Sequence, residues 1–227
     1  MTNCTNTRQN TTRSSMVHVS LILDVQTGGK VRSTCKATSP RYLVFDTETN
    51  GAAPQVCIEL AYIVFDREFA ELHRYKSYWT LPQGHFIHTH AERVHGISEE
   101  TLLNQGVDPR PGLEQFFEWV DHVASCGGVV VAHNAAFDAA VIRNTSRLYG
   151  VARTLEKEEC FCTMRRAAQY AGCKNKRGQQ RCPKNSELYT ILHGTPPEWA
   201  TLHSALDDVR VTAMNLHAGR NRGWWTV

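Results

Sequence analysis

The sequence predicts an α/β fold: a mixed β-sheet, an antiparallel meander plus parallel strands, flanked by helices. Three observations carry this expectation. The β-rich runs at 42–51, 56–66 and 71–79 follow one another across short polar turns, the pattern of a meander. The short apolar run "GGVVVAHN" (127–134) feeds directly into the helical pattern "AAFDAAVIRNTSRLYG" (135–150), a strand-helix unit. Helical patterns then dominate the rest of the chain, and a meander followed by strand-helix units implies a sheet of mixed direction.

In order along the chain, "MTNCTNTRQNTTRSS" (1–15) is polar and Thr/Asn-rich with nothing to bury, so disorder is expected. "MVHVSLILDVQ" reads as a strand and "TGGKVRSTCKATSP" as a loop, and the folded domain should start near Arg41. The first core strand is "YLVFDTETNG", opening on four consecutive buried-type residues, Tyr42 to Phe45. "GLEQFFEWVDHVAS" (112–125) has helical periodicity, and Gly150 is a stop for the helix after it. "FCTMRRAAQYAG" (161–172) and "NSELYTILHG" (185–194) read as helices, and "SALDDVRVTAMNLHAG" as an amphipathic helix ending at Gly219. The expected organisation is an N-terminal arm over 1–40, one domain over 41–219 and a short tail over 220–227.

The 227 residues, 41% hydrophobic and 21% charged, suffice for one domain with its own core. No apolar run approaches a membrane span and no apolar signal core begins the chain, so a soluble, intracellular protein of cytoplasm or nucleus is expected. The net charge of +3 divides unevenly: before Tyr42 six basic residues face one acid, Asp24, giving +5, which leaves −2 for the remainder. A basic arm suits nucleic acid, a solvated tail or an organellar targeting segment. The eight cysteines form no compact disulfide framework, and reduced thiols are expected. Cys160, Cys162, Cys173 and Cys182 could bind zinc, although their spacing departs from the usual paired knuckles.

The chemistry begins at Asp46 and Glu48. Side chains alternate along a strand, so the two carboxylates share a face with Cα atoms roughly 6.6 Å apart and repel unless a cation lies between them. A turn-capping role is the competing reading, since "TNGAAP" is rich in turn formers. Sheets of this kind place their sites at strand ends. Asp138, in "HNAAFD", falls in the first turn of the helix after a buried strand, where it either joins the site or complements the helix dipole. Asp208 lies in "HSALDD" on a helix whose packed face is marked by Leu206, Val209, Val211 and Met214, with His203 in the loop before it.

The ordered set "FDTET", "HNAAFD", "HSALDD" resembles the DEDDh family of 3′-to-5′ exonucleases over about residues 41–218, and "ERVHGIS" (92–98) and "CPKNSELYTILHG" (182–194) are similar to further segments of that family. The resemblance implies a ribonuclease H-like fold in which Asp46, Glu48, Asp138 and Asp208 hold two divalent cations, Mg²⁺ or Mn²⁺, with His203 as general base. The family's last motif is His, four residues, then Asp, which selects Asp208 over Asp207. The sibling branch with Tyr in place of His is excluded, since the last Tyr is Tyr189.

It further implies that Thr49, Asn134 and Phe137 border the terminal nucleotide and that His95 lies near its base or sugar, although Phe137 equally suits a core. The implied activity is hydrolysis of phosphodiester bonds from the 3′ end of nucleic acid, DNA favoured over RNA, releasing nucleoside 5′-monophosphates. A 3′-to-5′ exoribonuclease and a non-catalytic polymerase-associated binding module are the alternatives. A single-stranded or 3′-ended nucleic acid is the expected partner, with a DNA polymerase and a homodimer left open and no membrane involved. The basic run Lys174, Lys176, Arg177, Arg181, Lys184 either tracks phosphates or is a solvated loop.

Overall fold

The structure, a computed structural model, describes residues 39–201 and 203–227; residues 1–38 of the expected arm, its strand at 16–26 among them, lie outside the described residues. Five strands form one sheet: β1 (Tyr42–Thr49), β2 (Cys57–Phe65), β3 (Glu71–Tyr78), β4 (Val129–Ala132) and β5 (Cys160–Cys162). The order is β3-β2-β1-β4-β5, antiparallel through the first three strands and parallel from β1 to β4 to β5.

β1 is therefore central, and its run of Tyr42, Leu43, Val44 and Phe45 is buried because both faces of the sheet are covered. Leu43 and Phe45 face α3 (Pro109–Ser125) and α4 (Ala135–Tyr149), packing with Leu113, Phe116 and Ile142. Tyr42 and Val44 face the opposite layer, where α5 (Thr163–Ala171), α6 (Asn185–His193) and α7 (Ala205–Asn221) contribute Ala167, Leu188 and Val209. Two short helices, α1 (Thr89–His95) and α2 (Glu99–Gln105), follow the meander. Among the described residues no helix is long and apolar enough to cross a membrane.

Three readings are corrected. Residues 160–162 extend the sheet as β5, pairing with Val130 to Ala132, and the helix begins only at Thr163, because the parallel edge of β4 offers unpaired backbone groups that "CFC" satisfies. Helix α7 does not stop at Gly219 but continues to Asn221. A Cβ at Gly219 would lie 1.9 Å from Trp225 Cζ2, so this glycine admits the indole ring and does not end the helix. The segment read as a tail accordingly packs: Trp225 is buried, and Arg222 donates to the Leu192 carbonyl at 2.8 Å.

Candidate active site

Strands β1, β4 and β5 run parallel, so their C-terminal ends lie along one edge of the sheet, where the chain passes into α4 and α5. Asp46 and Glu48, at the end of β1, point toward the α7 layer, being in phase with Val44. Asp208, in the first turn of α7, meets them there, and one carboxylate oxygen of each of the three lies within 4.8 Å of the others. Among the described residues this is the one group of three or more His, Cys, Asp or Glu side chains drawn so close; Cys160, Cys162, Cys173 and Cys182 form no such group. Asp207 turns elsewhere, accepting the Thr201 N–H at 3.0 Å and pairing with Arg210 at 2.8 Å.

Asp138 approaches the strand end from the other side of the sheet. It is buried, and its Oδ1 accepts the Thr47 hydroxyl at 2.9 Å, so it stands outside the group of three while its charge is felt there. Burial, followed by the charges of Asp138, Asp208 and Glu48, pushes Asp46 well above the usual carboxylate range. Glu48 is pushed up to about 9 by burial and then by Asp208. Asp138 is raised by burial to about 7, the Thr47 hydroxyl opposing the shift. Burial also raises Asp208, against hydrogen bonds from His203 N–H and Asn185.

His203 is exposed beside Asp208: its backbone N–H donates to Asp208 Oδ2 at 2.9 Å, and its φ of 67° turns the chain into α7. A cleft of about 440 Å³ opens next to the carboxylates, lined by Glu48, Thr49, His88, His95 and Phe137 among others. Phe137 is 37% exposed there and is not a core residue. His95 Nδ1 accepts the Ile97 N–H at 3.0 Å, so its ring proton sits on Nε2 and donates to the Thr49 carbonyl at 3.1 Å. Gly51 lets the turn after β1 pass close over α1: its φ is +73°, and a Cβ would lie 2.5 Å from Ala91 Cβ. Asn134 is exposed at the start of α4 with φ 77°, outside the lining of this cleft.

Three supporting residues escaped the sequence reading. Glu59 is the single charge in the otherwise apolar "CIELAYIVF"; it is 1% exposed, lies opposite Glu48 across β1 and β2, and pairs with Lys76 at 2.8 Å. A lone acid in a fully buried strand was the available signal. Asn185 opens α6 and donates to the Asp208 carbonyl at 3.1 Å and to Thr212 Oγ1 at 3.0 Å, fixing the start of α7. His133, beside the "HNAAFD" acid, donates from Nε2 to the Pro183 carbonyl at 3.1 Å and takes the Thr163 hydroxyl on Nδ1 at 3.0 Å. Nothing in its sequence context distinguishes it from a solvated loop histidine.

No curated protein matches the chain by sequence. The family model of the exonucleases, RNase_T, matches residues 43–216. Among solved structures, E. coli exonuclease I in complex with a dA16 oligonucleotide superposes with a TM-score of 0.64 at 18% identity, over 81% of this chain and 41% of that one. The moderately thermophilic exonuclease I of Methylocaldum szegediense gives 0.62 at 19% identity, over 80% and 40%. Cell-death related nuclease 4 (CRN-4) gives 0.62 at 15% identity, over 80% and 64%. At these identities the likeness is one of fold, and the chain spans about two fifths of the exonuclease I length.

Proposed function

The chain belongs to the exonuclease family, as a DEDDh-type member with the ribonuclease H-like fold, and from that premise we propose that it hydrolyses phosphodiester bonds from the 3′ end of nucleic acid and releases nucleoside 5′-monophosphates. The observation that carries this reading is the convergence of Asp46, Glu48 and Asp208 within 4.8 Å, with buried Asp138 close enough to shift Asp46.

The donor set fits divalent cations: every donor is a hard oxygen, and the burial and mutual repulsion that raise the carboxylates are offset by positive charge. Asp46, Glu48, Asp138 and Asp208 are the residues that would hold Mg²⁺ or Mn²⁺. When bound, two such ions supply charge stabilisation to the attacking and leaving oxygens of a phosphodiester displacement.

The chain's own residues do the rest. His203, exposed and tethered to Asp208 only through its backbone, is free to take a proton from the attacking water. The cleft beside Glu48 receives the terminal nucleotide, with Phe137 offering a face for base stacking. The His95 to Thr49 hydrogen bond fixes the wall of that cleft. DNA is the favoured substrate, in keeping with the oligodeoxynucleotide bound in the exonuclease I neighbour.

Matched DNA and RNA strands, labelled at the 5′ end and incubated with and without chelator, test the proposal. A ladder shortening from the 3′ end, faster on DNA and abolished by chelator, is expected. Cleavage that survives chelation would remove the metal assignment, and faster decay of RNA would reverse the substrate preference.

A further inference from the structure

Between Cys160 and Ser186 the chain carries seven basic residues and no acid, although its overall balance is only +3. Arg165 and Arg166 sit in the first turn of α5, both exposed, and neither makes an ion pair among the described residues. Arg166 lies over the Phe161 ring at 5.4 Å, which supports its stem and leaves its charge available. By contrast, Arg181 in the following loop is held by Glu187, with two contacts of 2.7 Å.

Two clefts meet at this arginine pair. One, of about 330 Å³, runs from Ala135 and Ala136 to Arg165 and Arg166; the other, of about 520 Å³, continues past them to Gln180 and Arg181. Ala135 and Ala136 immediately precede Phe137 and Asp138, so this trough starts at the same turn of α4 that borders the terminal-nucleotide cleft on its other side. The acid along the first cleft, Glu158, faces Lys157 at 3.7 Å.

The trough is firmly mounted. His133 links the end of β4 to Thr163 at the start of α5 and to Pro183 before α6. Burial lowers its pKa to about 4, so the ring stays neutral and the link persists through neutral pH.

We infer that this trough carries the phosphodiester backbone of the substrate strand on the 5′ side of the scissile bond, with Arg165 and Arg166 as its principal phosphate contacts. This rests on the exonuclease reading above and extends it to several nucleotides. Charge complementarity chooses the occupant: unpaired guanidinium groups suit phosphates, and the trough's start on the α4 turn that also carries Phe137 and Asp138 suits a strand whose 3′ end lies at the carboxylates.

Binding of an oligothymidylate of about 20 nucleotides, measured in chelator by fluorescence anisotropy between about 50 and 200 mM salt, tests the inference. Replacing both arginines by alanine (R165A/R166A) should weaken binding about tenfold at low salt and flatten the log–log salt slope by about 1.4, two contacts at about 0.7 each for a single strand. The R165K/R166K variant should keep the slope, since lysine also neutralises phosphate. In the unaltered protein, affinity should rise with strand length beyond a dinucleotide. An unchanged slope in the alanine variant, or affinity already at its plateau with a dinucleotide, overturns the trough. If the unaltered protein shortens no 3′-ended strand at all, the exonuclease reading itself fails.

Discussion

Glu59, buried in β2, accepts the backbone N–H of Ala205 at the start of α7 at 3.3 Å. Its other oxygen pairs with Lys76 of β3 at 2.8 Å, so one side chain ties two strands to the helix that presents Asp208. Glu59→Ala would leave that N–H and the ammonium short of a partner, at a cost of about 1–3 kcal/mol. Turnover should fall roughly tenfold, the rate equivalent of about 1.4 kcal/mol of lost positioning. Thermal melting and steady-state kinetics check both; a variant as stable and as fast as the parent would show that Glu59 braces nothing.

Asp46→Asn should reduce activity to below about a hundredth, because losing a metal ligand or an acid-base group generally costs a hundredfold or more. It should also stabilise the chelated protein, since it removes one of several mutually repelling charges. A gain of about 2–4 °C in melting temperature corresponds to about 1 kcal/mol in a chain of this size. Asp208→Asn should be equally inactive. Substantial turnover in either variant, measured on a 3′-ended strand, contradicts the assignment.

The carboxylates also set a pH dependence. Burial raises Glu48 from its ordinary 4.5 to about 9 and Asp138 from 3.8 to about 7. Between the ordinary and raised values the native protein binds more protons than the unfolded chain. These groups' contribution is therefore fully present below about pH 4 and is lost as pH climbs toward 7 for Asp138 and 9 for Glu48. The loss is at most about 1.4 kcal/mol per pH unit per group. Melting temperature in chelator should decline over that window, and Mn²⁺ should flatten the decline by favouring the ionised forms. A melting temperature that holds steady in chelator contradicts the raised Glu48 and Asp138.

His203→Ala should lower turnover by about 10²- to 10⁴-fold while leaving Mn²⁺ affinity intact, because the imidazole is assigned to the attacking water. The backbone N–H that holds Asp208 survives this substitution. Parallel loss of Mn²⁺ binding in a titration would reassign His203 as a ligand.

The core of the fold was legible where burial leaves a pattern. Tyr42 to Phe45 reads as a strand because both faces are covered, and the acids two residues apart read as one site because strands alternate. The short elements were not legible. Helix α1 buries none of its seven residues, so "THAERVH" carries no apolar stripe, and the three residues of β5 run into α5 without a glycine or proline between them. Gly219 was misread because the usual rule for a glycine near a helix end ignores a ring arriving from six residues further on, that of Trp225. Asp138 illustrates a further limit: sequence order brings it to the right edge of the sheet, but not to which side of β1 it approaches.

Helix α7 touches both ends of β1. Asp208 meets Glu48 at one end, and Arg220 donates to the Tyr42 hydroxyl at 2.7 Å at the other. From Asp208 to Arg220 is 12 residues, about 18 Å of helix, and from Tyr42 to Glu48 is 6 residues, about 20 Å of strand. The helix thus acts as a gauge bar cut to the length of the strand it lies on. One residue inserted between its two contacts would swing Asp208 about 100° around the axis relative to Arg220, so the two ends could no longer be seated together. Chain length can vary in the connections without such a conflict, whereas β1 and α7 have to change as a matched pair.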